Sequence, residues 1–137
     1  MYFLELSLNS SRVIFSTMTN SQISHYIMSF YSDEEKESFE SDLQECYNKA
    51  WIHPYFDVEY YANLGKQPIR VNSETNTLTA TFIIHNIDGV CESLFDPPKI
   101  GFNPVKNFID ANPDEGTCSM KLFDSNGNDL TDQYSYV

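Results

Sequence analysis

Basic residues are scarce in this chain. Eight Lys and Arg stand against twenty Asp and Glu, giving a formal net charge of −12. That scarcity argues against direct nucleic-acid binding through a basic patch, and the resulting field repels anionic membranes as well. Glycine is also sparse: five widely scattered residues supply no Gly-rich phosphate loop. No apolar run approaches the ~20 residues that span a bilayer. The opening MYFLELSLNS has no basic n-region and carries Glu5 inside its apolar run, so it does not read as a secretory signal. The three cysteines, Cys46, Cys91 and Cys118, are odd in number and lack framework spacing. They point to reduced thiols in a cytoplasmic protein. His25, His53 and His85 form no H-x₃₋₅-H pair, and there is no C-x-x-C. The six-residue step from His85 to Cys91 is not a metal signature. The histidines and cysteines read as ordinary core or surface residues, and no metal or cofactor is expected.

What the chain does have is a globular composition. It is 41% hydrophobic and 15% aromatic, unlike a disordered acidic tail. Its 137 residues suit a single domain, 1–137, long enough to bury a core without disulfide or metal staples.

Periodicity suggests the elements. Leu4, Leu6 and Leu8 alternate with Phe3, Glu5 and Ser7, and RVIFST beyond the NSS turn reads as a returning strand. Ile23, Tyr26, Ile27, Phe30 and Tyr31 then mark one face of a helix over about 20–30, opened by a capping box of Thr19 and Gln22. Ser32 and Glu35 form a second box. It starts a helix over about 33–50, with Phe39, Leu43, Cys46, Tyr47 and Ala50 at helical spacing and Pro54 ending it. FDVEYYA reads as a strand with Phe56, Val58 and Tyr60 on one face. PIRVN and TLTATFIIH flank SETN as a hairpin. Residues 86–116 read as a long loop with one short helix near Val105–Asp110. TCSMKLF, DSNGND and LTDQYSYV close the chain as a terminal hairpin. The expected fold is α+β: a mainly antiparallel sheet built from hairpins, with the two consecutive helices packed on one face.

The second helix concentrates the charge. Residues 33–46 hold seven acids and one Lys, so fourteen residues carry half the net charge. On a helical wheel the apolar residues fill one side and carboxylates cover most of the rest. Asp33, Glu37 and Glu40 form one stripe, rising by ~6 and then ~4.5 Å. Those steps resemble a strand's phosphate row without matching it closely. Ordinary solvent faces mix signs and use Glu–Lys pairs. Here Lys36 stands alone, with Glu40 as its best partner. Glu35 and its neighbours are accounted for by capping and the helix dipole, whereas Glu37, Glu40, Asp42 and Glu45 lie past the first turn. Asp33, Glu34, Glu37, Glu40, Asp42 and Glu45 are therefore the candidate partner-binding residues, set against a merely solvated face.

Other chemistry is less well supported. In DSNGNDLTDQYS, Asp124, Asn126 and Asn128 fit the first calcium-loop positions, but Asp129 replaces the Gly and Ser135 the bidentate Glu. An Asn-Gly turn fits better. A small enzyme would need Cys91 or Cys118 beside a histidine such as His85.

In charge and size the chain is similar to the DNA-mimic inhibitors of phages and mobile elements, and to immunity proteins that neutralise nuclease toxins. That likeness implies a non-enzymatic binder. Its partner would be a basic protein such as a nuclease, restriction enzyme or CRISPR effector, held with no direct contact to nucleic acid or membrane. An immunity protein or a small Cys/His-dependent enzyme are the alternatives.

Overall fold

The computed structural model describes residues 1–53, 57–87 and 103–134. In chain order the elements are β1 (Tyr2–Ser10), α1 (Asn20–Met28), α2 (Asp33–Asn48), β2 (Ile52–His53), α3 (Val58–Asn63), β3 (Ile69–Asn72), β4 (Thr77–Ile84), α4 (Asn103–Ala111), β5 (Gly116–Asp124) and α5 (Thr131–Tyr134). Single 3₁₀ turns occupy Phe15–Thr17 and Pro113–Glu115. The fold is α+β with an antiparallel five-stranded sheet.

β1 is the middle of that sheet. It pairs antiparallel with β4 on one side, Leu6 opposite Ala80, and with β5 on the other, Leu6 opposite Met120. Both edges of β1 are thereby filled, so the expected hairpin with RVIFST cannot form. The chain instead turns at Ser10, whose hydroxyl accepts the N–H groups of Arg12 and Val13 at 3.1 Å each. Phe15 then drops into the core, and its N–H is taken by the Asn76 side chain at 3.0 Å.

Strand parity divides the sheet faces. Leu4, Leu6, Leu8, Leu78, Ala80, Phe82, Ile84 and Leu122 point to one face and are fully buried or nearly so. Ile23 and Ile27 of α1, Phe39, Leu43 and Cys46 of α2, and Val105 and Ile109 of α4 join the same core cluster. Burying such side chains contributes about 1.5–3 kcal/mol each, so this face supplies the main hydrophobic stabilisation. Both helix starts follow the sequence: Thr19 with Gln22 and Ser32 with Glu35 close complete capping boxes. The apolar stripe of α2 ends earlier than its spacing suggests. Tyr47 is 46% exposed, and Ala50, at φ 54, lies beyond the helix in left-handed geometry.

The outer edge of β4 is shared by two short strands. β3 pairs with Thr77–Ala80 and β2 with Ile83 and Ile84. The segment between them holds α3, where a strand was expected; Phe56 lies outside the described residues. Asp57 overrides the β-propensity of that stretch, its carboxylate accepting the Tyr60 N–H at 3.1 Å as an N-cap. The helix delivers Tyr61, fully buried, into the gap between β2 and β3. There the Tyr61 hydroxyl accepts the Ile83 N–H at 3.1 Å and donates to the Thr81 carbonyl at 2.5 Å.

The C-terminal hairpin is likewise shorter than expected. Phe123 and Asp129 make one bridge. The Leu122 N–H then goes to the Thr131 hydroxyl at 2.9 Å rather than to a strand partner, and α5 follows. In the 86–116 segment α4 covers the expected short helix with one more turn of chain. Residues 88–102 lie outside the described residues.

Candidate functional site

The acidic face of α2 is held by its own core contacts. Phe39, Leu43 and Cys46 anchor the helix, and Tyr31 packs its ring 5.4 Å from Phe39 at the entry. Asp33, Glu34, Glu35, Glu37, Glu40 and Glu45 are all exposed. Asp42 lies on the helix, with its side chain outside those described.

Relief of this charge differs from the sequence expectation. Lys36 approaches Asp33 at 4.0 Å rather than Glu40. Glu45, expected to have little basic relief, pairs with Lys49 at 2.8 Å, and the same ammonium sits 4.6 Å above the Trp51 ring. Orientation explains both, since a Glu four residues before a Lys is the better helical order, and Lys36–Glu40 has the reverse. Glu35 is engaged with the Ser32 N–H at 3.0 Å. Glu34, Glu37 and Glu40 have no ion pair among the described residues. Of the candidate residues, Glu37 and Glu40 lie past the first turn without an ion pair, while Glu34 and Asp33 sit in the first turn, where the helix dipole favours them and Lys36 approaches Asp33.

A second cluster, not among the expected sites, lies at the junction of β2, α3 and β4. His53 Nε2 lies 2.7 Å from Asp57 Oδ2, and the His53 ring stacks on Tyr60 at 3.6 Å. The Tyr60 hydroxyl lies 3.2 Å from His85 Nε2, and the two imidazoles are 5.9 Å apart. Tyr47 closes on His53 edge-on at 5.7 Å. The available signal was His53-x₃-Asp57-x₂-Tyr60, a polar cap and its neighbours. Bonds from the Tyr60 N–H and His53 hold the Asp57 carboxyl below the usual carboxylate range. Partial desolvation of its ring, with His53 and the N-terminus nearby, pushes the otherwise exposed His85 below the usual histidine value. Burial drives the Tyr61 phenol far above its ordinary range.

Among the described residues no cysteine stands beside this cluster. Cys46 is buried in the core. Cys118 stands opposite Leu8, which in turn faces Leu78. His85 is seven residues beyond Leu78, about 23 Å along the strand direction at 3.3 Å per residue. Cys91 lies outside the described residues. Among the described residues no three His, Cys, Asp or Glu side chains gather as metal ligands, and no helix is long and apolar enough to cross a membrane. In the DSNGND turn, Asp124 Oδ1 accepts the N–H groups of Asn126 and Asn128 at 2.9 Å each.

No family model, curated protein or solved structure matches the chain significantly.

Proposed function

We propose that this chain is a non-enzymatic, cytoplasmic binding protein. Its acidic helix α2 docks on the basic, nucleic-acid-binding surface of a partner protein and acts there as a nucleic-acid mimic. One observation carries the reading: Glu34, Glu37 and Glu40 stand exposed on a helix anchored from behind, without an ion pair among the described residues. Like charges at i, i+3 and i+4 cost helix stability unless something compensates them, and a basic groove would. The partner class is a nuclease or another nucleic-acid-processing effector, the target of phage counter-defence inhibitors such as anti-CRISPR proteins. A toxin nuclease neutralised by an immunity protein would present the same chemistry.

The test is competition. A partner captured from the host or its competitor should bind either nucleic acid or this chain, never both. Asp33→Asn/Glu37→Gln/Glu40→Gln should bind it at least tenfold more weakly with the fold intact. Equal binding by that variant, or simultaneous binding of nucleic acid, overturns the reading.

A second reading, acid–base catalysis, rests on His53, Asp57, Tyr60 and His85 lying within contact of one another. It separates cleanly from the first. His85→Gln should leave partner binding unchanged if α2 is the docking surface, and should remove activity if the cluster is catalytic.

A further inference from the structure

We infer that the pocket on the sheet face opposite α2 is a receptor for a basic side chain, a guanidinium or alkylammonium group presented by a partner polypeptide. The pocket encloses about 450 Å³ between Phe3, Glu5, Lys66, Phe123, Asp124 and the turn that follows. Phe3 and Phe123 are register partners on β1 and β5, so both side chains stand on the same face of the sheet. Parity turns them away from Leu4 and Leu122, and hence from the face whose core α1 and α2 join.

Three observations set the ligand's charge. First, the pocket already holds a cation. The Lys66 ammonium lies 4.5 Å over the Phe3 ring, and Lys66 has no ion pair among the described residues. Lys66 is exposed and reaches in from the turn after α3, where its N–H bonds the Tyr61 carbonyl at 2.9 Å. It is a tethered occupant that a stronger cation can displace. Second, the turn has few donors left for an anion. The N–H groups of Asn126 and Asn128 are spent on the Asp124 carboxylate, and that of Gly127 on the Asp124 carbonyl. Third, Glu5 and Asp124 place two carboxylates on the rim, and Glu5 is matched by Arg70 at 2.7 Å. With Lys66 withdrawn the rim is net negative, the Phe3 face is freed for another cation, and Phe123 lines the same pocket.

The site does not depend on the α2 reading, because it lies on the other face of the sheet. The experiment follows the aromatic proton resonances of Phe3 and Phe123 while ethylguanidinium chloride is added to the full chain at constant ionic strength. Sodium acetate serves as the anion control. The proposal expects a saturable shift at both rings with ethylguanidinium and none with acetate. Lys66→Ala, which removes the internal competitor, should bind about three- to fivefold more tightly. Phe3→Leu should lose the shift at Phe123, and Glu34→Gln/Glu37→Gln/Glu40→Gln should keep it. Absence of a saturable shift in Lys66→Ala, or an undiminished one in Phe3→Leu, overturns the proposal and leaves the reading of α2 untouched.

Discussion

Tyr61 completes the sheet beside Ile83: at the inner end of the short β2 pairing, its phenolic oxygen accepts the Ile83 N–H at 3.1 Å. The same hydroxyl donates to the Thr81 carbonyl, so one side chain satisfies two buried backbone groups. Tyr61→Phe keeps the packing and strands both. The expected loss is about 2–4 kcal/mol in urea-unfolding free energy, at 1–3 kcal/mol per unsatisfied buried group. Tyr60→Phe removes only a bond to the exposed His85 and should cost under about 1 kcal/mol.

The His53–His85 cluster makes stability depend on pH in a defined direction. His85 in the fold has a pKa below its ordinary 6.5, chiefly through partial desolvation of its ring. The unfolded chain therefore takes up a proton first as pH falls. The His85 contribution is complete above about pH 6.5 and is lost as pH drops through the folded value. Asp57 is also lowered, from 3.8, so its contribution is lost in a separate, more acidic window. Thermal unfolding of His85→Gln should lack the first decline and keep the second.

Gly116 closes on β1 in a way no other residue can. It has φ +140, and a Cβ built there would sit 1.9 Å from the Asn9 carbonyl oxygen. Gly116→Ala must push the start of β5 off β1, at an expected cost of about 2–3 kcal/mol. Gly127 also has positive φ, +86, but nothing within 4 Å. Gly127→Ala should cost only the left-handed backbone, about 1–2 kcal/mol. Unfolding curves of the two variants side by side check the difference.

The acids of α2 should matter little for folding. Glu34, Glu37 and Glu40 have no ion pair to lose and repel one another, so their combined Gln replacement should leave stability unchanged or raise it by up to about 0.5 kcal/mol. Ser32→Ala breaks the capping box instead and should cost about 1 kcal/mol. Urea unfolding of both variants separates charge placed for binding from structure placed for folding.

These contrasts follow what a linear sequence can express. The capping boxes at Thr19 and Ser32 were legible because both partners lie within three residues. The β3–β4 hairpin was legible for the same local reason. The partners of β1 were not, since β5 begins more than a hundred residues later and nothing local marks the pairing. The 57–63 stretch misled because its tyrosines favour strands, while its conformation is set by Asp57 and by the need for Tyr61 in the sheet gap. At the site, acid density was plain in the sequence, but the relief of Glu45 by Lys49 depended on side-chain order along the helix. The His53 cluster needed three elements to meet and left only a faint spacing behind.

The central claim is that α2 binds through uncompensated charge, and the salt dependence of partner association tests it most directly. Affinity should fall steeply between low and physiological ionic strength for the parent chain. For Asp33→Asn/Glu37→Gln/Glu40→Gln it should be weaker at low salt and change much less across the range. Matching salt slopes for the two proteins would contradict the account.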